Sequence, residues 1–141
     1  MWVQSLAAAG VLPFLGLTLA AFSNVIWAVH AFAVYSVAIT AFLAGSWWGI
    51  HLTKTPPHRT PWRGLIASNL LVLLSVAGLL SGSAAAALVT QTAILTLLLV
   101  GERILQPLSR APAYYQRMRL WVSAAVIGLH IAQLSFILSS S

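Results

Sequence analysis

Apolar residues run along this chain in five long blocks separated by short polar breaks. The blocks at residues 4–22, 25–52, 64–80, 84–105 and 120–138 predict five transmembrane helices, since about 20 predominantly apolar residues carry a helix across the hydrocarbon of a bilayer. The first two lie within residues 1–53, an uncharged stretch too long for one span, and Ser23 and Asn24 divide it as short polar residues that cap helix ends. The second block exceeds the length a bilayer requires, which predicts tilt or protrusion. Pro13 falls inside the first block and predicts a kink, tolerated in a membrane helix when neighbours satisfy the released carbonyl. Runs this long, rich in Leu and Ala and without strict alternation, exclude a β-barrel.

The breaks have characters of their own. Residues 53–63, reading TKTPPHRTPWR, form a proline-stiffened basic loop whose Pro61 and Trp62 lead into the third helix. Ser81, Gly82 and Ser83 make a very short turn. Residues 106–119 predict a second polar loop, broken by Pro107 and Pro112, with Tyr114 and Tyr115 as interfacial aromatics beside Arg117 and Arg119. The prediction is therefore an all-α polytopic membrane protein, a small five-helix bundle forming a single membrane domain over residues 1–141.

Composition supports that solvent. Only 6% of the residues are charged, against about a quarter in an ordinary soluble protein, too few to cover a soluble surface. Seven Lys and Arg residues face a single acidic residue, Glu102, for a net charge of +6. The basic residues form no stripe, and nucleic acid is not an expected partner; between apolar segments they act as orientation signals and lipid headgroup contacts. Lys54, Arg59 and Arg63 cluster between spans two and three, and Arg103, Arg110, Arg117 and Arg119 around the connection of spans four and five. All seven thus fall on one side of the five-span scheme. The positive-inside rule makes that side, together with the N-terminus, cytoplasmic or matrix-facing and puts the C-terminus opposite. Residues 1–53 carry no Lys or Arg, so the first block does not read as a secretory signal. The expected location is a bacterial or mitochondrial inner membrane.

Candidate chemistry is sparse. With no cysteine there is no disulfide or thiolate metal site, and no metal-binding pattern is expected. Glu102 stands out because an intramembrane carboxylate is costly unless paired or hydrated. Arg63, Arg117 and Arg119 are its candidate partners, with Arg103 adjacent. On the second helix Ala41, Gly45 and Gly49 recur every four residues, a small-residue face for helix packing, while Tyr35, Phe42 and Gly49 share one side. Trp47 and Trp48 suit the headgroup belt. Alternatively Trp48, His51 and Glu102 line a groove near the basic surface for a lipid, a quinone-like molecule or a partner helix. Ala124, Gly128 and Ala132 repeat the small-residue spacing on the fifth helix, where His130 and Gln133 add polar groups. With Thr90, Thr92 and Thr96 of the fourth helix these are candidates for bonds between helices. His30 and His130 fall in the same membrane half, so a bis-histidine haem is a further candidate. No nucleophile elbow, paired carboxylates or phosphate loop is present; an enzyme using His51, Glu102 and a basic residue remains an alternative, and no cofactor is identified.

The run YSVAITAFLAGSWWGIHL resembles the signature of a small membrane family of unknown function, the one that includes mitochondrial transmembrane protein 69. The matching positions are Tyr35, Ile39, the run Ala41, Phe42, Leu43, Ala44 and Gly45, and the pair Trp48 and Gly49. Tyr114, Tyr115, Arg117 and Arg119 match that family's aromatic and basic segment before its last helix. Ala41 and Ala44 stand where the family usually has a serine and its first glycine, which preserves packing but removes the case for a hydroxyl ligand at position 41. The resemblance implies a several-helix protein of bacteria or mitochondria and adds weight to respiratory membranes. The leading expectation is an accessory or assembly subunit of a larger membrane complex of respiratory type, with other membrane subunits and lipids as partners. The alternatives are a small transporter or permease using Glu102, and a lipid-, quinone- or haem-binding membrane protein.

Overall fold

The computed structural model describes residues 5, 9–54, 62–104 and 113–139, without the side chains of Ile50, His51, Thr53, Lys54, Arg103 and Ile104. Its elements are α1 (Leu12–Phe22), α2 (Ala28–Lys54), α3 (Trp62–Leu80), α4 (Ala84–Ile104) and α5 (Ala113–Ser139). Successive helices pack side by side; α2 also touches α4, and α1 also touches α5, which closes the bundle. The ends carrying Arg63, Glu102, Arg117 and Arg119 therefore gather at one end, here the basic end, and the turns after α1 and α3 lie at the other. Four of the helices, α2 to α5, are long and apolar enough to cross a membrane. The described part of α1 has 11 residues, about 16 Å at 1.5 Å per residue, roughly half the hydrocarbon thickness.

Several boundaries differ from expectation for local reasons. Helix at Ala9 gives way to a turn at Gly10 and Val11, and Pro13 sits in the first turn of α1, where its missing N–H costs nothing, rather than kinking an interior. Residues 4 and 6–8 of the expected first span lie outside the described residues. Asn24 takes φ 60°, and its N–H and that of Val25 donate to Ala21 O at 2.9 Å and Ala20 O at 3.0 Å. This pair of bonds closes α1 with a left-handed cap and delays α2 to Ala28. At the other connection Gly82 adopts φ 75°, and Ser83 Oγ accepts the Ala86 N–H at 3.2 Å to cap α4. Helix α5 starts at Ala113, so Tyr114, Tyr115, Arg117 and Arg119, expected in a loop, are helical. Gln, Arg, Met and Leu are good helix formers, and Pro112 directly precedes the helix rather than interrupting it.

The burial pattern is that of a bundle in lipid. Large apolar side chains such as Leu19, Ile26, Leu73, Leu80 and Trp121 are exposed, while Ser36, Thr40, Ser75, Gln91, His130 and Gln133 are fully buried. Hydrocarbon solvates the outside, leaving the interior to polar groups that need one another. The apolar interior centres on Phe14, Phe32, Leu88, Leu95 and Val126, with a second cluster of Trp47, Ile94 and Leu98 nearer the basic end.

Near the short turn α3 meets α4 closely: a Cβ at Gly78 would lie 2.8 Å from Thr90 Cβ and Cγ2. Gly78→Ala is expected to cost about 1–3 kcal/mol by overpacking. The Gly78→Ala, Thr90→Gly pair should recover much of the loss. Thermal unfolding in mild detergent measures both, and an undiminished stability for the single variant would contradict the close approach.

Candidate functional site

At the basic end three helices converge on Glu102. Its carboxylate, on the last turns of α4, receives Arg119 Nε of α5 at 2.9 Å and 3.0 Å on its two oxygens, and Arg119 Nη2 on Oε1. The ion pair is buried, with side-chain exposures of 9% for Arg119 and 6% for Glu102. From α2 the Trp47 indole N–H donates to Glu102 Oε1 at 3.2 Å. Trp47 reaches that position because Gly101 has no side chain: a Cβ there would collide with the indole ring, whose Cη2 lies closest. The sole carboxylate thus joins α2, α4 and α5. Of its candidate partners only Arg119 meets it; Arg63 is exposed and stacks over Trp62 with its guanidinium carbon 5.4 Å from the ring centroid, and Arg117 is exposed.

Trp47, expected at the headgroup level, is buried, whereas Trp48 is 40% exposed. The side chains of His51 and Arg103 lie outside the described residues, as do His58, Arg59 and Arg110.

A cavity toward this end lies between α2 and α5. It has a volume of about 410 Å³ and is lined by Ile39, Phe42 and Leu43 of α2, Leu95 of α4, and Tyr115, Met118, Arg119, Val122, Ser123 and Val126 of α5, with Gly10 and Phe14 at its inner end. Phe42 lines this cleft while remaining 69% exposed, so the cleft opens on the outside of the bundle.

Deeper in the bundle, two polar links cross between helices. Gln91 of α4 accepts from Thr40 of α2 at 3.2 Å and from Ser75 of α3 at 3.0 Å, and its Nε2 donates to Ser75 Oγ at 2.7 Å and Ser75 O at 3.2 Å. His130 of α5 lies 2.8 Å from Val126 O through Nδ1 and 2.6 Å from Ser36 Oγ through Nε2. A carbonyl only accepts, so in the neutral ring Nδ1 carries the proton and Nε2 accepts from the serine. Phe14 and Phe32 pack against the ring at 5.4 Å and 4.7 Å. Gln133, one turn further, is fully buried and its amide has no hydrogen-bond partner among the described residues.

A haem between His30 and His130 does not fit this arrangement. His30 is exposed, and His130 is buried with both ring nitrogens engaged, its α2 partner being Ser36. No cluster of three potential metal-ligating side chains occurs among the described residues. The threonines of α4 also serve differently from expectation: Thr92 and Thr96 bond Leu88 O and Thr92 O of their own helix, each at 2.7 Å, and Thr90 packs on Gly78.

The small-residue faces point outward. Ala41, Gly45 and Gly49 are exposed, and nothing lies within 4 Å of a Cβ built at Gly45 or Gly49. On α5 Ala124 and Gly128 are exposed, Ala132 is half-buried, and the Gly128 Cβ position is equally open. Tyr35 turns the other way, donating to Gly10 O at 3.0 Å and packing on Phe14. Sequence reasoning did not single out Gly101 or Gln91 as functional. A glycine directly before the only carboxylate, and an amide set between Thr90 and Thr92 within an apolar helix, were the available signals. A family model described as Protein of unknown function (DUF3429) matches residues 2–135, so the chain belongs to that family. No curated protein and no solved structure matches the chain.

Proposed function

We propose, taking membership of the DUF3429 family as the premise, that this protein is an accessory or assembly subunit of a larger inner-membrane complex, docking through the outer face of α2. The observation that supports this most directly is the outward direction of Ala41, Gly45 and Gly49. Glycine inside a helix costs roughly 0.5–1 kcal/mol relative to alanine, and an outward glycine gains nothing from lipid in return. Small residues four apart do allow a second helix backbone to approach closely. Trp48 borders the stripe and supplies larger contact area to the same incoming helix. The occupant is a transmembrane helix of another subunit.

The face formed by Ala124 and Gly128, beside the 74% exposed Trp121, offers a second contact of the same kind. A respiratory setting draws its support from the resemblance to the family that includes mitochondrial transmembrane protein 69. The gathering of Arg63, Arg117 and Arg119 at one end supports a cytoplasmic or matrix orientation for that end. Glu102 has both oxygens occupied by Arg119 and one also by Trp47, an arrangement suited to a fixed clamp rather than to a carboxylate that exchanges ions.

Purification in a gentle detergent tests the reading. The wild-type protein should retain larger membrane subunits in fixed ratio, and Gly45→Leu should lose them at least tenfold while keeping the elution volume and melting temperature of the isolated bundle. Wild-type protein eluting solely as a monomer or homo-oligomer would refute the accessory role.

A further inference from the structure

We propose that the cleft between α2 and α5 binds a membrane amphiphile through an uncharged, carbonyl-bearing head region (a quinone ring or the ester region of a glycerolipid), with that region at Arg119 and the chain directed toward Phe14 and Val126. A volume of about 410 Å³ falls within the range of sites for small hydrophobic ligands, roughly 300–1,000 Å³, which combine apolar walls with a few orienting polar groups. The walls have that division. Ile39 and Leu43 face Val122 and Val126, while Tyr115, Arg119 and Ser123 follow one another at successive turns of α5. The polar groups therefore form a single strip on one wall, strongest toward the basic end where Arg119 is anchored.

The state of Arg119 selects the head. Glu102 takes its Nε and Nη2 and neutralises its charge inside the protein. An anionic phosphate would meet no uncompensated cation among the described lining residues and would have to be desolvated beside a carboxylate. A neutral carbonyl needs a donor alone. Nη1 takes no part in the bonds to Glu102; Tyr115 on the same wall also interacts with the guanidinium, and the five N–H groups of a guanidinium extend beyond these contacts. The Glu102 clamp therefore positions a hydrogen-bond donor at the cleft without leaving a net charge there. Phe42, exposed to the bilayer and lining the cleft, places the opening on the lipid side, so an amphiphile reaches the site laterally without crossing water.

The chemistry is shared by the ester region of a glycerolipid and by an isoprenoid quinone, and the test separates them. Protein is reconstituted in phosphatidylcholine nanodiscs with and without decylubiquinone, then exchanged into mild detergent and assayed by native mass spectrometry and solvent extraction. About one molecule per chain should survive exchange. Val122→Trp and Ser123→Phe, which fill the cleft from α5, should each reduce retention at least tenfold with the melting temperature of the empty protein preserved. Quinone retained in preference to phosphatidylcholine supports the proposal with a quinone as ligand; phosphatidylcholine retained in both preparations supports it with a glycerolipid. If the wild type retains neither, or a well-folded Val122→Trp or Ser123→Phe retains as much as wild type, the site is refuted. Preferential retention of phosphatidylglycerol from a mixed disc would overturn the uncharged head. None of these outcomes depends on a larger complex, so docking through Gly45 stands or falls separately.

Discussion

Glu102→Ala is expected to destabilise the bundle by about 3–5 kcal/mol, because it strands the Arg119 guanidinium in the interior without its counter-charge. Compensation from elsewhere is ruled out by composition: Glu102 is the only acidic residue in the chain. The loss should exceed the worth of the interaction itself, since much of it is the cost of leaving a buried cation unpaired. This asymmetry provides the check. Glu102→Leu combined with Arg119→Leu removes both charges and should lie much nearer to wild type than either single change. Glu102→Gln keeps one acceptor oxygen for Trp47 and Arg119 to share but loses the second and the charge, and should fall between. Thermal unfolding in mild detergent, followed by size exclusion and tryptophan fluorescence, reads the series. Equal stability for Glu102→Ala and the double variant would show that the pair is not a closed clamp.

That clamp was only partly visible in the sequence. An isolated carboxylate within an apolar run marks itself by its solvation cost, and the neighbouring arginines limit its partners to a few positions. Choosing Arg119 over Arg63 or Arg117 required the start of α5 at Ala113, which puts Arg119 on a helical face buried with Val126 and His130. The prolines and polar residues of 106–119 had suggested a loop there. The reason α2 to α5 were legible as long helices is that length and apolarity alone determine what can sit in hydrocarbon. Which face of each helix turns inward was not legible for the same reason. The helices are apolar on every side, so periodicity does not mark a buried stripe. Trp47 and Trp48 show the consequence: adjacent and chemically identical, one is buried against α4 and the other faces outward. The stripe of Ala41, Gly45 and Gly49 was evident from spacing, but its direction was not. The buried amide of Gln91 and imidazole of His130 obey the membrane rule that polar side chains find partners inside, although Gln133 has none among the described residues.

Trp47→Ala should produce the second large effect, about 3 kcal/mol, at the low end of what truncating a buried aromatic costs in soluble proteins. The low end applies because helices separated in a bilayer are still surrounded by hydrocarbon, so the transfer from water contributes little. What remains is lost packing against Ile94 and Leu98 and the lost indole donor to Glu102. Trp47→Phe keeps most of the ring volume and drops the N–H, so it should cost about 1 kcal/mol, the net worth of a single hydrogen bond. Gly101 supplies the complementary arm. Gly101→Val alone should destabilise by about 1–3 kcal/mol, since a Cβ at that position meets the indole ring. In the Trp47→Ala background the same side chain enters space that the ring has vacated, so the two losses should not add. Residues in contact commonly show coupling of 0.5–3 kcal/mol, and here its sign should be favourable. A four-member thermal unfolding cycle of wild type, both single variants and the double measures that coupling directly. Strict additivity would mean that Trp47 does not occupy the Gly101 notch, and the link from α2 to the Glu102 carboxylate would then have to be abandoned.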